Sequence, residues 1–140
     1  MRKVLVTVRS RQRLAGELDE TMELTTEGTL HREEDCLVLF YEETRLSGLE
    51  GTLTTFRITP DRVVLERTGA VSSRMEFVQD TYHKSLYRVG EGALLLSIYT
   101  RTVENHLEDG GGTLRVAYDI EIEETAAGSI EYDIVVAPIN

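Results

Sequence analysis

The sequence predicts an all-β fold, a closed antiparallel up-and-down barrel of about 8–10 strands. One domain spans residues 1–140. Three observations predict this. Apolar and polar side chains alternate with the period of a strand rather than a helix. Turn-forming residues recur at roughly ten-residue spacing. Both prolines, Pro60 and Pro138, fall outside strand interiors, as ladder hydrogen bonding requires.

Composition sets the frame. The 140 residues are 41% hydrophobic and 29% charged, with a net charge of -10. That describes a globular chain long enough to bury a core without a disulfide or a metal. A single cysteine, Cys36, excludes an internal disulfide framework. The acidity opposes general nucleic-acid binding, because phosphates are repelled at long range. The first residues form no signal peptide, and no apolar run approaches the ~18 residues of a membrane span. The expected setting is cytoplasmic, with no membrane partner.

The strands follow in order. Lys3–Arg9 opens the chain. Leu18–Gly28 alternates most clearly, with Leu18, Met22, Leu24 and Thr26 on one face and Asp19, Thr21, Glu23 and Thr25 on the other. Cys36–Glu42, Gly51–Ile58, Arg62–Arg67, Met75–Val78, Lys84–Val89 and Ala93–Thr102 are rich in β-branched and aromatic residues. Leu114, Val116, Tyr118, Ile120 and Ile122 alternate with charged residues, as do Ile130, Tyr132, Ile134 and Val136. Turns are expected at Gly28-Thr29, Ser47-Gly48, Pro60-Asp61, Gly90-Glu91-Gly92, Asp109 to Gly112 and Ala127-Gly128. Val103 and Leu107 give one weak helical signal. Closure is preferred because it removes edge strands. The interior of such a barrel is either filled by side chains or holds one small ligand.

In sequence order, Tyr41-Glu42-Glu43, Gly51-Thr52-Leu53-Thr54-Thr55-Phe56-Arg57-Ile58, Leu65-Glu66-Arg67-Thr68-Gly69, Met75-Glu76-Phe77 and Gly112 to Tyr118 resemble the YwiB-like family of small bacterial proteins. The likeness runs from Val4 to Val135 and rests on order and spacing rather than on one motif. It implies a calycin-like (lipocalin-like) barrel and a bacterial cytoplasmic setting. It is a domain of unknown function, so the resemblance implies no catalytic residue. Asp80 departs from the pattern, since a glycine is expected after the phenylalanine strand.

Arg67 shares parity with Val63 and Leu65 and is expected to point inward. A buried guanidinium needs charged or multiple hydrogen-bonding partners, which Tyr41 and Glu43 would supply from the face of Leu37 and Leu39. Two readings stand: an anchor for a carboxylate or phosphate, or a structural arginine tying strands together. Thr54, Tyr87, Thr100 and Tyr118 are further inward polar candidates, either lining a pocket or packing in the core.

Other groups carry less. His31, His83 and His106 are widely spaced and give no metal motif, and no cofactor is expected. Cys36, beside Glu33-Glu34-Asp35, reads as a small hydrophobe. No nucleophilic-serine or phosphate-loop motif occurs.

Arg2, Lys3, Arg9, Arg11 and Arg13 give the first thirteen residues +5 and leave -15 for the rest. This reads either as a basic arm for RNA or an acidic partner or, as favoured here, as pairing of the outward Lys3, Arg9, Arg11 and Arg13 with Glu17, Asp19 and Glu23 on the next strand. Outward Ala93, Leu95 and Tyr99, with Val38 and Phe40, would form an apolar strip suited to a homodimer or covered by the segment around Val103–Leu107. The sequence thus suggests a non-enzymatic module binding an apolar or anionic small molecule. The alternative is a packed protein-interaction or regulatory scaffold. An enzyme is a third reading that no motif demands.

Overall fold

A computed structural model describes residues 2–14 and 19–139. Among these residues, ten strands form one sheet closed on itself. They are β1 (Arg2–Leu14), β2 (Glu20–Glu33), β3 (Cys36–Glu42), β4 (Thr52–Thr59), β5 (Arg62–Gly69), β6 (Val71–Phe77), β7 (Tyr82–Val89), β8 (Gly92–Glu108), β9 (Gly111–Ile122) and β10 (Thr125–Pro138). Each pairs antiparallel with its sequence neighbour, and β1 closes the ring against β10. The only helical element among the described residues is one 3-10 turn, Arg45–Ser47. It lies in the long β3–β4 connection.

Alternation fixes the faces, as the period of two requires. Val4, Val6 and Val8 of β1 are buried between exposed Leu5 and Arg9. Val63, Leu65 and Arg67 of β5 all turn inward, as do Leu37, Leu39, Tyr41 and Glu43 at β3. Outside, ion pairs lace the wall. Arg9 meets Glu23 at 2.9 Å, opposite it in register, and Arg13 meets Asp19 at 2.7 Å. Arg11 lies 3.6 Å from Asp19. Glu17 and Leu18 lie outside the described residues.

Several expectations are corrected. Val103 to Leu107 is not helical; it continues β8, with Val103 opposite Val116 and Leu107 opposite Gly112. An i, i+4 pair also shares a face of a strand, so the signal was ambiguous. A register shift between Thr100 and Thr102 exchanges the inward and outward faces, which hid the continuation. The segment is therefore no loop covering the outer face.

Gly28-Thr29 is not a turn either. Gly28 sits inside β2, opposite Val4 and Tyr41, and a Cβ there would lie 2.5 Å from the Phe40 carbonyl oxygen. Close backbone approach, rather than a bend, calls for glycine. The last hairpin turns at Glu123 and Glu124, both at positive φ, rather than at Ala127-Gly128, which lies within β10 beside a register shift. Val38, expected outward and exposed, is 3% exposed. It lies with Phe40 in an outer groove whose other walls include His31 and Arg57.

Asp80 adopts φ 63°, the left-handed conformation that explains why a glycine was expected there. Its N–H bonds to the Thr100 carbonyl at 2.8 Å, and Thr100 N–H bonds to Thr81 at 3.1 Å. The loop thus ties to β8. The β6–β7 ladder itself has only two register pairs, Val71 with Val89 and Ser72 with Arg88.

Candidate functional site

The two ends of the barrel differ. The β2–β3, β4–β5 and β8–β9 hairpins lie at one end, where the interior is solid. Val4, Val6, Leu39, Val63, Leu65, Phe77 and Ile98 are fully buried there. At the other end lie the β3–β4 connection and the β7–β8 hairpin. Here the interior opens into a cavity of about 430 Å³. That is within the ~300–1,000 Å³ typical of small-molecule sites.

The cavity wall is built by alternation on strands far apart in sequence. Apolar side chains, including Met22, Leu24, Leu96, Ile120 and Ile130, form most of it. Ser47 and Leu49 of the β3–β4 connection reach over it, and Glu20 and Leu94 stand at the rim.

The polar part gathers around Arg67, whose side chain is 8% exposed. Its Nη2 donates to the Tyr132 hydroxyl at 3.5 Å. Its Nε lies 3.9 Å from Glu43 Oε2, too far for a hydrogen bond, and has no other partner among the described residues. The Glu43 carboxylate is 3% exposed and accepts a hydrogen bond of 2.5 Å from Thr54 Oγ1. A guanidinium carries five N–H donors, and this one is thinly satisfied by the chain.

Tyrosines complete the ring. Tyr118 lies 6.2 Å from Tyr132 and 4.8 Å from Phe77, centroid to centroid. Tyr41 stacks on Phe56 at 6.5 Å. Burial pushes the Tyr41 phenol well above its ordinary range, and the Glu43 charge adds to this against the opposing effect of Arg67. Burial likewise raises Tyr118 and, less deeply placed, Tyr87. These phenols are therefore neutral hydrogen-bonding groups through the whole physiological range.

Of the residues singled out from sequence, Arg67, Tyr41, Glu43, Tyr87 and Tyr118 come together on the cavity wall. Thr54 stands behind it and holds Glu43. Thr100 does not reach it. It is buried opposite Tyr118, and its hydroxyl has no partner among the described residues. Tyr132 was missed, although it shares parity with inward Ile130 and Ile134. Ser47 and Leu49 were missed because loop residues carry no periodic signal. Among the described residues no group of three or more His, Cys, Asp or Glu is placed to hold a metal ion. Cys36 is partly buried, and its thiol faces the Leu37 carbonyl at 3.5 Å.

A family model described as "Domain of unknown function (DUF1934)" matches residues 6–134. The chain is similar to the uncharacterised β-barrel protein YwiB of Bacillus subtilis (strain 168), with 26% identity over 104 residues. That match covers 74% of this chain and 71% of YwiB. The crystal structure of the B. subtilis ywiB protein superposes with a TM-score of 0.88 at 21% identity, covering 99% of this chain and 93% of that one.

Proposed function

The chain belongs to the DUF1934 family of YwiB-like β-barrels, and from that premise we propose that it is a non-enzymatic binding module for a small, partly apolar ligand carrying an anionic group. One observation carries the reading. Arg67 is a buried cation at the wall of a cavity of about 430 Å³, and its chain partners leave most of its donors free. A buried charge left in that state is costly. A carboxylate or phosphate would complete it with paired hydrogen bonds.

The roles divide by chemistry. Arg67 orients the anionic group, and the phenols of Tyr87 and Tyr132 offer further hydrogen bonds. Tyr41 and Tyr118 present ring surface. Met22, Leu24 and Ile120 take the apolar part. Glu43, held by Thr54, offsets part of the Arg67 charge. The analogy to calycin-like barrels supports the reading at the level of fold alone. A packed scaffold without a ligand fits the sealed half of the interior but leaves the cavity without a role.

The test is native mass spectrometry of protein purified gently from its host. We expect an added small-molecule mass that is released on denaturation. Ile122→Trp, which fills the cavity, should lose it. A bare polypeptide mass, together with no saturable binding of an anilinonaphthalene sulfonate probe, would overturn the proposal.

A further inference from the structure

The outer face of β7 and β8 sets exposed apolar side chains between charges of opposite sign. Much of the remaining wall carries ion pairs: Arg57 with Glu33 and Glu66, Arg62 with Glu76, Arg101 with Asp119, Arg115 with Glu131 and Asp133. On β7 and β8 the register sets Tyr82 beside Tyr99, Lys84 beside Ser97 and Leu86 beside Leu95. Strand β9 extends the first two rows with Asp119 and Glu121. Tyr82 is 73% exposed, Leu86 43% and Leu95 37%. Lys84, Arg88 and Glu121 enter no ion pair among the described residues. An exposed apolar pair with charges of both signs at its margin has the arrangement of an apolar interface centre inside a polar rim.

We propose that this face is the contact of an isologous homodimer. The charge layout selects a second copy as the occupant. Cations lie on the β7 side, at Lys84 and Arg88, and an acid on the β9 side, at Glu121. A two-fold axis parallel to the strands, between β7 and β8, preserves height along the strands and exchanges the two sides. Leu86 then covers the second copy's Leu95, and Lys84 comes within reach of the second copy's Glu121. Both contacts occur twice. A chain of charge -10 repels itself at long range, so a self-contact has to carry its own complementary charges, as this one does.

Geometry also sets the strength. Tyr82 to Arg88 spans roughly 20 Å along the strand, and three strands span about 10 Å between their axes. On a convex wall this falls short of the ~800 Å² per partner of a standard stable interface. The dimer is therefore weak and concentration-dependent.

Sedimentation velocity from micromolar to millimolar protein tests it. The wild type should show a monomer–dimer equilibrium, and Leu86→Glu should remain monomeric. Lys84→Glu and Glu121→Lys should each weaken the dimer roughly tenfold at low salt, through like-charge contacts made twice. The double variant should regain it. A wild type that stays monomeric throughout, a dimer indifferent to Leu86→Glu, or a double variant no better than the single ones would overturn the proposal. The measurement is independent of whether the cavity binds a ligand.

Discussion

The sealed and hollow halves of the barrel obey the same alternation and the same antiparallel ladder, yet they solve opposite problems. In the sealed half, inward positions hold Val4, Val6, Phe56, Leu65, Phe77 and Ile98, each no more than 2% exposed. Branched and aromatic side chains from facing walls fill the space at crystal-like density. In the hollow half the same rows continue as Ser10, Glu43, Thr54, Arg67 and Tyr132. With apolar neighbours such as Met22, Leu24 and Ile120, these side chains leave a cavity of about 430 Å³ between the walls. The lesson is that strand alternation makes a barrel, while the volume and polarity of its inward residues decide whether the barrel has contents.

The comparison can be broken by truncation. Phe77→Ala removes a fully buried ring that packs on Tyr118 and should lower unfolding free energy by about 3–5 kcal/mol in urea titration. Leu94→Ala, at the exposed rim of the hollow half, should cost less than about 1 kcal/mol, because little burial is lost there. Similar costs at the two sites would mean that the halves are packed alike.

The buried ion pair gives the next largest effect. Glu43→Ala leaves the Arg67 guanidinium uncompensated and should cost about 3 kcal/mol. Combining Glu43→Leu with Arg67→Met replaces both charges by apolar groups and should recover most of that stability. The double variant should also abolish any anionic-ligand binding. If the double variant folds no better than Glu43→Ala, burial of these side chains matters more than their charge.

The smallest effect is absent at neutral pH and emerges only in alkali. Tyr41, Tyr87 and Tyr118 have raised pKa values in the folded state, chiefly from burial. The unfolded chain therefore loses these protons first, near the ordinary tyrosine value of about 10. Their contribution to stability is fully present below that pH and falls as pH rises above it. The urea midpoint should be flat through neutral pH and decline above about pH 10. Tyr41→Phe should make the decline shallower. A midpoint insensitive to alkali would show that the phenols reach water.

Much of this was legible in the sequence. Alternation, together with β-branched and aromatic content, located all ten strands, and parity turned Arg67, Tyr41, Glu43, Tyr87 and Tyr118 inward. Legibility failed where parity is not conserved or not expressed. The irregularity at Arg101 exchanged faces and concealed the second half of β8. Gly28 looked like a turn because its reason, the nearby Phe40 carbonyl, belongs to another strand. Ser47 and Leu49 lie in a connection, where no period applies.

By itself, then, the sequence determined the architecture and the direction of side chains along the regular strands, since both follow from local periodicity and turn chemistry. Only the tertiary structure decided which inward residues meet. Arg67 reaches Glu43 and Tyr132 from strands brought together by closure, and the cavity exists because the volumes contributed by those strands do not sum to a filled interior. Such a sum belongs to the closed ring as a whole, and no window of sequence contains it.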